Sequence, residues 1–120
     1  MRQGTIAIEN NIVYYSPDSE GDVWLAQFEI AQLFGVFVSA VSANIRAIYK
    51  SGSLKEYETQ RVEKTRDGCW LESYNMEMVV ALAFRLRSRQ TSVFRRWLTH
   101  RPQSRMFVVK VSDNEHGAVS

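Results

Sequence analysis

Two groups of side chains in this 120-residue chain have the types and spacing to do chemistry. The first is Ser39, Ser42, Asn44 and Arg46, inside "VFVSAVSANIRAIYKSG". On a helix they share an exposed face with Ala40 and Ala43. Arginine offers a two-pronged donor to guanine, asparagine a matched donor and acceptor to adenine, and serine a hydroxyl to phosphate or either base; small alanines let a helix approach a thymine methyl. The second group is Arg85, Arg87, Arg89, Arg95 and Arg96, interleaved with Ser88, Thr91 and Ser92. Guanidinium groups, hydroxyls and free amides at a helix start all suit phosphate oxygens. Helical spacing sets Arg85 and Arg89 one turn apart on one side. The competing reading of these arginines is an internal network with the acid-rich front half of the chain.

Charge along the chain is segregated. Residues 1–77 hold 7 Lys/Arg against 11 Asp/Glu, whereas residues 78–112 hold 8 Lys/Arg and no acid. The formal net charge of +2 hides this division, which points to an anionic partner. Further phosphate-contact candidates are Lys50, at the end of the first group's helix, and Arg61, Lys64 and Arg66 in a hairpin.

No enzyme signature stands out. Cys69 has no base near it in sequence, and a hairpin cysteine is usually a small apolar filler. Glu56, Glu58, Glu63 and Glu72 are interleaved with Lys55, Arg61 and Lys64, as on a solvated surface. Gly4, Gly21 and Gly52 form no phosphate-cradling pattern. With one cysteine and only His100 and His116 as further soft ligands, neither a disulfide nor a structural zinc site is expected. We expect no catalytic residue, no metal and no cofactor. This composition fits a reducing, cytoplasmic setting. The N-terminal "MRQGTIAIENN" lacks the apolar core of a signal peptide, and the longest mainly apolar run, residues 76–86, is too short to cross a bilayer, so no membrane partner is expected.

The elements that must position these groups follow from pattern. The share of apolar residues, 45%, supplies one core. "GTIAIENNIVYY" (4–15) predicts a hairpin around Asn10-Asn11, with Ile6, Ile8, Ile12 and Tyr14 alternating. "SPDSEGD" (16–22) predicts a loop and "VWLA" (23–26) an extended piece. A helix is predicted over about 27–34, capped by Gly35, and a second from Val38 or Ser39 to Tyr49, with Val38, Val41, Ile45 and Ile48 buried. Arg66-Asp67-Gly68 predicts a second hairpin. Asn75 predicts an N-cap for an apolar helix over 76–86, central to a core or packed in a dimer. A basic break at 87–90 then leads to a helix capped by Thr91 or Ser92 and stopped by Pro102. "MFVVKV" (106–111) predicts a closing strand. Residues 1–112 read as one domain and 113–120 as a frayed tail.

Ala31, Gly35 and Val41 supply what a helix-turn-helix needs locally: a small residue at the crossing, a left-handed turn and an apolar residue packing back. Phe37 departs from this pattern by bringing no donor to the start of the second helix. It could stack on a sugar, pack under the hairpin or face a partner chain. Trp24, Trp70 and Trp97 read as core or hairpin-packing residues.

"VWLAQFEIAQLFGVFVSAVSANIRAIYKSGSL", then an aromatic hairpin, then "ESYNMEMVVALAFRLRSRQTSVFRRW", resembles the RhuM-like virulence-associated family of bacterial proteins, distant relatives of phage KilA-N/Bro-N-type DNA-binding domains. The likeness covers about residues 22–100. Ala31, Leu33, Phe34, Gly35, Val41, Ser42 and Ile45 match its helix-turn-helix, Tyr74 and Asn75 its cap, and Arg85, Ser88, Phe94, Arg95 and Trp97 its C-terminal block. The family places a charged or polar pair where this chain has Phe37-Val38. It also continues after Trp97 with a longer helical region, so this chain reads as a truncated or stand-alone version. The resemblance implies a winged or hairpin-flanked helix-turn-helix that binds DNA, often encoded near mobile elements or toxin modules.

The expectation is therefore an α+β domain, a helix-turn-helix core flanked by two β-hairpins with two C-terminal helices. Its expected partner is double-stranded DNA, bound as a transcriptional regulator or mobile-element-associated protein. A homodimer contact could come from the 76–86 helix or the terminal strand. The rival is a protein-interaction module, such as an antitoxin or adaptor bound to a toxin or other protein, that keeps a relic helix-turn-helix.

Overall fold

The computed structural model describes residues 4–100. The order is β1 (Thr5–Glu9), β2 (Ile12–Ser16), α1 (Gln27–Phe34), α2 (Val38–Ser51), α3 (Glu56–Thr59), β3 (Gln60–Lys64), β4 (Trp70–Tyr74), α4 (Met76–Ala83) and α5 (Arg89–His100). This is an α+β architecture with two separate antiparallel hairpins, β1-β2 and β3-β4. The "MFVVKV" strand, the stop at Pro102 and the domain end at 112 lie outside the described residues.

Asn10 and Asn11 take φ of 51° and 64°, the left-handed backbone that a two-residue hairpin turn requires. The register pairs Ile6 with Tyr15 and Ile8 with Val13. Directly paired residues project from the same face, so Ile6, Ile8, Val13 and Tyr15 pack on the core. Ile12 and Tyr14 are exposed at 52% and 51%. The expected alternation thus holds within each strand, but a two-residue loop pairs even numbers with odd ones. The inward face of β2 is the opposite of the one expected.

After the Asp18–Asp22 loop the chain turns inward. Leu25 and Tyr74 exchange two backbone hydrogen bonds, of 2.9 and 2.8 Å, which join the segment before α1 to the second strand of the second hairpin. At the start of α1, Glu29 Oε1 accepts from the Ala26 N–H at 2.8 Å. α1 ends at Gly35, φ 65° and ψ 40°, whose left-handed conformation lets Val36 donate back to the Ala31 carbonyl at 3.0 Å. α2 then leaves at 112° to α1. Val41, Ile45 and Ile48 form its buried stripe. Val38 does not join them and is 45% exposed. Side chains of a first helical turn lean back towards the N-terminus, where Phe37 is itself exposed. The single-turn α3 was not expected; its buried Thr59 accepts or donates a 2.9 Å hydrogen bond with the Tyr49 hydroxyl. Burial raises the Tyr49 phenol above its ordinary pKa.

α4 is the centre of the core, with Met78, Val79, Leu82 and Ala83 fully buried. Its first amides are met by two side chains: Asp22 Oδ1 accepts from Met76 N at 2.9 Å, and Asn75 Oδ1 from Met78 N at 3.2 Å. α4 stops at Ala83 rather than Leu86, and Phe84, Arg85 and Leu86 form a tight turn. Ser88, not Thr91 or Ser92, caps α5. Its Oγ accepts from Thr91 N at 3.0 Å, while Thr91 Oγ1 accepts from Ser88 N at 2.9 Å. This reciprocal pair closes the helix start three residues early and buries Thr91. Phe94 meets Phe34 edge-on at 5.4 Å, and Trp97 meets Tyr15 at 5.5 Å, so α5 fastens α1 to the first hairpin.

Gly35→Ala and Gly52→Ala (φ 80°) should each cost about 1–2 kcal/mol in urea unfolding, the strain of a left-handed alanine. At Gly35 the three atoms nearest a new Cβ all belong to the Gln90 side-chain amide, which can swing away, whereas Gly52 has open space. A Gly35→Ala loss several-fold above that of Gly52→Ala would show that this turn is closed by more than its backbone conformation.

Candidate nucleic-acid interface

α2 presents Ser39, Ala43, Arg46 and Lys50 to solvent, spaced four, three and four residues apart on one ridge. Ser42 and Asn44 flank it, half-buried. Arg46 Nη1 donates to Ser42 Oγ at 2.9 Å, one turn back on the same helix. Asn44 is more constrained. Its Nδ2 donates to the Ala40 carbonyl at 2.8 Å, and its Oδ1 accepts from Arg85 Nε at 2.9 Å. Base reading by Asn44 would have to exchange these bonds. The same contact brings Arg85, distant in sequence, to the side of α2.

The arginine series does not form one cluster. Arg85 and Arg89 are not successive turns of one helix, because α4 ends at Ala83 and α5 begins at Arg89. Arg95 is half-buried, and its Nη1 donates to the carbonyls of Ala83 at 2.6 Å and Leu86 at 3.5 Å. It covers the C-terminal carbonyls of α4, where a cation also complements the helix dipole. Arg89 and Arg96 line an open groove of about 790 Å³ between α5 and the first hairpin, with Trp97, His100 and Ile12. Arg87 is exposed in the α4–α5 link. The hydroxyls of Ser88 and Thr91 are spent on each other's backbone, and only Ser92 of the three stands exposed. Among the described residues none of these five arginines is ion-paired to a carboxylate. The competing reading, an internal network with carboxylates of the front half, is not seen for these five among the described residues.

The second hairpin divides likewise. Arg61 is partly exposed, its guanidinium 4.2 Å over the Trp24 ring and its Nε 2.7 Å from Glu63. Lys64 and Arg66 are exposed near the tip. Trp70, expected to be packed, is 68% exposed, with the Lys64 ammonium 5.7 Å from its ring. The signal for this lay in strand parity: Trp70 shares its face with Glu72 and pairs with Lys64, and both of those are charged. At the tip, Gly68 takes φ 89° and Thr65 donates its hydroxyl to Asp67. That hydrogen bond, with the Cys69 amide behind it, holds the Asp67 carboxyl below its ordinary pKa.

Cys69 is exposed on this hairpin. Among the described residues no three His, Cys, Asp or Glu side chains are grouped to hold a metal, and no single helix is long and apolar enough to cross a membrane. Comparison of the chain with protein-family models, curated proteins and solved structures finds no match.

Two measurements check these assignments. Arg95→Ala should lower stability by about 1–2 kcal/mol, the worth of a charge-assisted hydrogen bond discounted for partial exposure, while Arg89→Ala stays within roughly 0.5 kcal/mol. Equal losses would remove the capping role. For Asp67 the folded pKa is depressed, so its contribution is complete above the ordinary aspartate range and is lost as pH falls through the folded value. NMR titration should place the Gly68 and Cys69 amide inflection below that of an unstructured aspartate. An inflection at or above the ordinary value would refute the Thr65 contact.

Proposed function

We propose that the chain binds double-stranded DNA through α2, used as the second helix of a helix-turn-helix, with the β3-β4 hairpin as a wing. The observation that carries this is the exposed Ser39–Ala43–Arg46–Lys50 ridge, with Arg85 fastened beside it through Asn44. The 112° crossing, the left-handed Gly35, the buried Ala31 and the inward Val41 support it, because they meet the geometry of that motif. The Leu25–Tyr74 pairing supports the wing. An extended residue before the first helix pairs with the hairpin's second strand, as a wing held against that helix would require.

In this reading α2 lies in the major groove, with Ser39, Ser42 and Arg46 towards base edges. Lys50, Lys64, Arg66 and Arg85 neutralise phosphates. Arg61 and Arg95 act within the protein. The role is that of a transcriptional regulator or mobile-element-associated DNA-binding protein of RhuM-like type, acting in a bacterial or phage-infected cytoplasm. One observation favours a second reading, a protein-interaction module: Phe37 and Val38 are exposed at 83% and 45% at the start of α2.

Fluorescence anisotropy on mixed-sequence duplex DNA tests the proposal. With about four phosphates neutralised, the logarithm of affinity should fall against the logarithm of salt with a slope of roughly −3 to −4. Arg46→Ala and Arg85→Ala should each weaken binding about tenfold without loss of stability, roughly 1.4 kcal/mol apiece. No binding at low salt, or binding indifferent to both substitutions, sinks the α2 reading. Loss of a protein partner on Phe37→Ser, with no DNA binding to lose, would establish the second one.

A further inference from the structure

Among the described residues the outer edge of β1 is open. A two-residue loop is flanked by a hydrogen-bonded pair, here Glu9 and Ile12, and bonded pairs then alternate along the ladder. Glu9, Ala7 and Thr5 therefore direct their backbone groups to β2. Ile6 and Ile8 direct theirs away from it, and among the described residues nothing receives them. This edge borders a groove of about 530 Å³, whose other wall is Trp24, Leu25 and the Glu29–Leu33 side of α1. Leu25 turns its N–H and C=O to Tyr74, so its neighbour Trp24 turns its own away from β4. They too are unpartnered among the described residues. Unpaired strand groups beside a groove that also offers apolar side chains are the chemistry that captures an extended peptide by strand addition.

Charge selects the peptide. Among the described residues the groove is lined by two carboxylates, Glu9 and Glu29, both exposed, and by no lysine or arginine; the nearest cation placed against a wall is Arg61, stacked over the Trp24 ring. A second copy of β1 is a poor complement, since "TIAIE" carries an acid and no cation. We propose that an extended basic segment of a partner protein adds to β1 as a third strand, its alternate apolar side chains against Leu33 and Trp24 and its cations near Glu9 and Glu29. This surface uses no residue of α2 and stands or falls independently of DNA binding.

The test uses the full chain and the peptide Ac-Val-Lys-Val-Arg-Val-Lys-Val-amide, with a glutamate analogue and an analogue N-methylated at alternate residues. The basic peptide should bind, and the other two at least tenfold more weakly. The sign is informative, because a chain of net charge +2 attracts the acidic analogue if only overall charge matters. Hydrogen exchange at the Ile6 and Ile8 amides should slow on binding, with Ala7 and Glu9 unchanged. Glu9→Lys combined with Glu29→Gln should weaken the basic peptide at least fivefold; glutamine retains an oxygen for the Ala26 amide. Equal binding of the three peptides overturns the proposal. So does protection of Ile6 and Ile8 before any peptide is added, which would mean that the chain's own residues or a second copy already occupy the edge.

Discussion

The exchange of backbone hydrogen bonds between Leu25 and Tyr74 is the constraint on which the rest depends. It is only one residue pair long, yet it joins three elements. Leu25 precedes α1 by two residues, and Tyr74 ends β4 and precedes α4 by two. The Asp22 carboxylate reinforces the junction by accepting from Val23 N at 2.8 Å and Met76 N at 2.9 Å through one oxygen. The Tyr74 hydroxyl accepts from Gln27 Nε2 at 3.1 Å and donates to Glu72 at 3.3 Å. Each bond nets about 1 kcal/mol, but leaving these buried groups unpaired costs more than that. The geometric effect is larger still. It fixes the second hairpin relative to α1, and hence relative to the α2 ridge that the Gly35 turn sets at 112°.

From that junction outward, basic side chains divide into those the fold consumes and those it leaves free. Arg95 is consumed because α4 ends without a glycine or a polar cap, and its last carbonyls need a donor. Arg61 is consumed by Trp24 and Glu63. Arg46, Lys50, Lys64 and Arg66 are left exposed. Phe37 belongs to this accounting too. As the N-cap of α2 it supplies no side-chain acceptor, so that helix start has no internal capping bond and an apolar ring stands in solvent. That ring is 83% exposed among the described residues, so the start of α2 presents an apolar surface.

What was legible in the sequence was what is decided within a few residues. Gly35 as a left-handed stop, Asn10-Asn11 as a tight turn and Asn75 as an N-cap are local chemistry, and each formed as expected. The boundary between α4 and α5 was not legible, because Thr91 and Ser92 are acceptable caps by type. Only the reciprocal bonds of Ser88 with Thr91, and the burial of Thr91, decide against them. The inward face of β2 could have been found by carrying the pairing through the two-residue loop. The fates of the arginines could not. Arg85 to Asn44 and Arg95 to Ala83 are tertiary contacts, and a list of spacings treats all five guanidiniums alike.

The same distinction alters the meaning of the segregated charge. Along the chain, 11 of the 13 acids precede residue 78 and 8 of the 15 Lys/Arg follow it, which suggests a negative front and a positive back. In space the division runs differently. Arg46, Lys50, Lys64 and Arg66 come from the acidic half, and the fold exposes them on α2 and the second hairpin. The acids of that half are dispersed to separate tasks: Asp22 at the start of α4, Glu29 at the start of α1, and Asp67 in a hairpin tip. Glu9 and Glu29 meet again only at the β1 groove. A net charge near zero can therefore coexist with a cationic ridge and an anionic groove that share no side chain. Screening confines each field to about 8 Å at physiological salt, so each surface acts on what comes within that range.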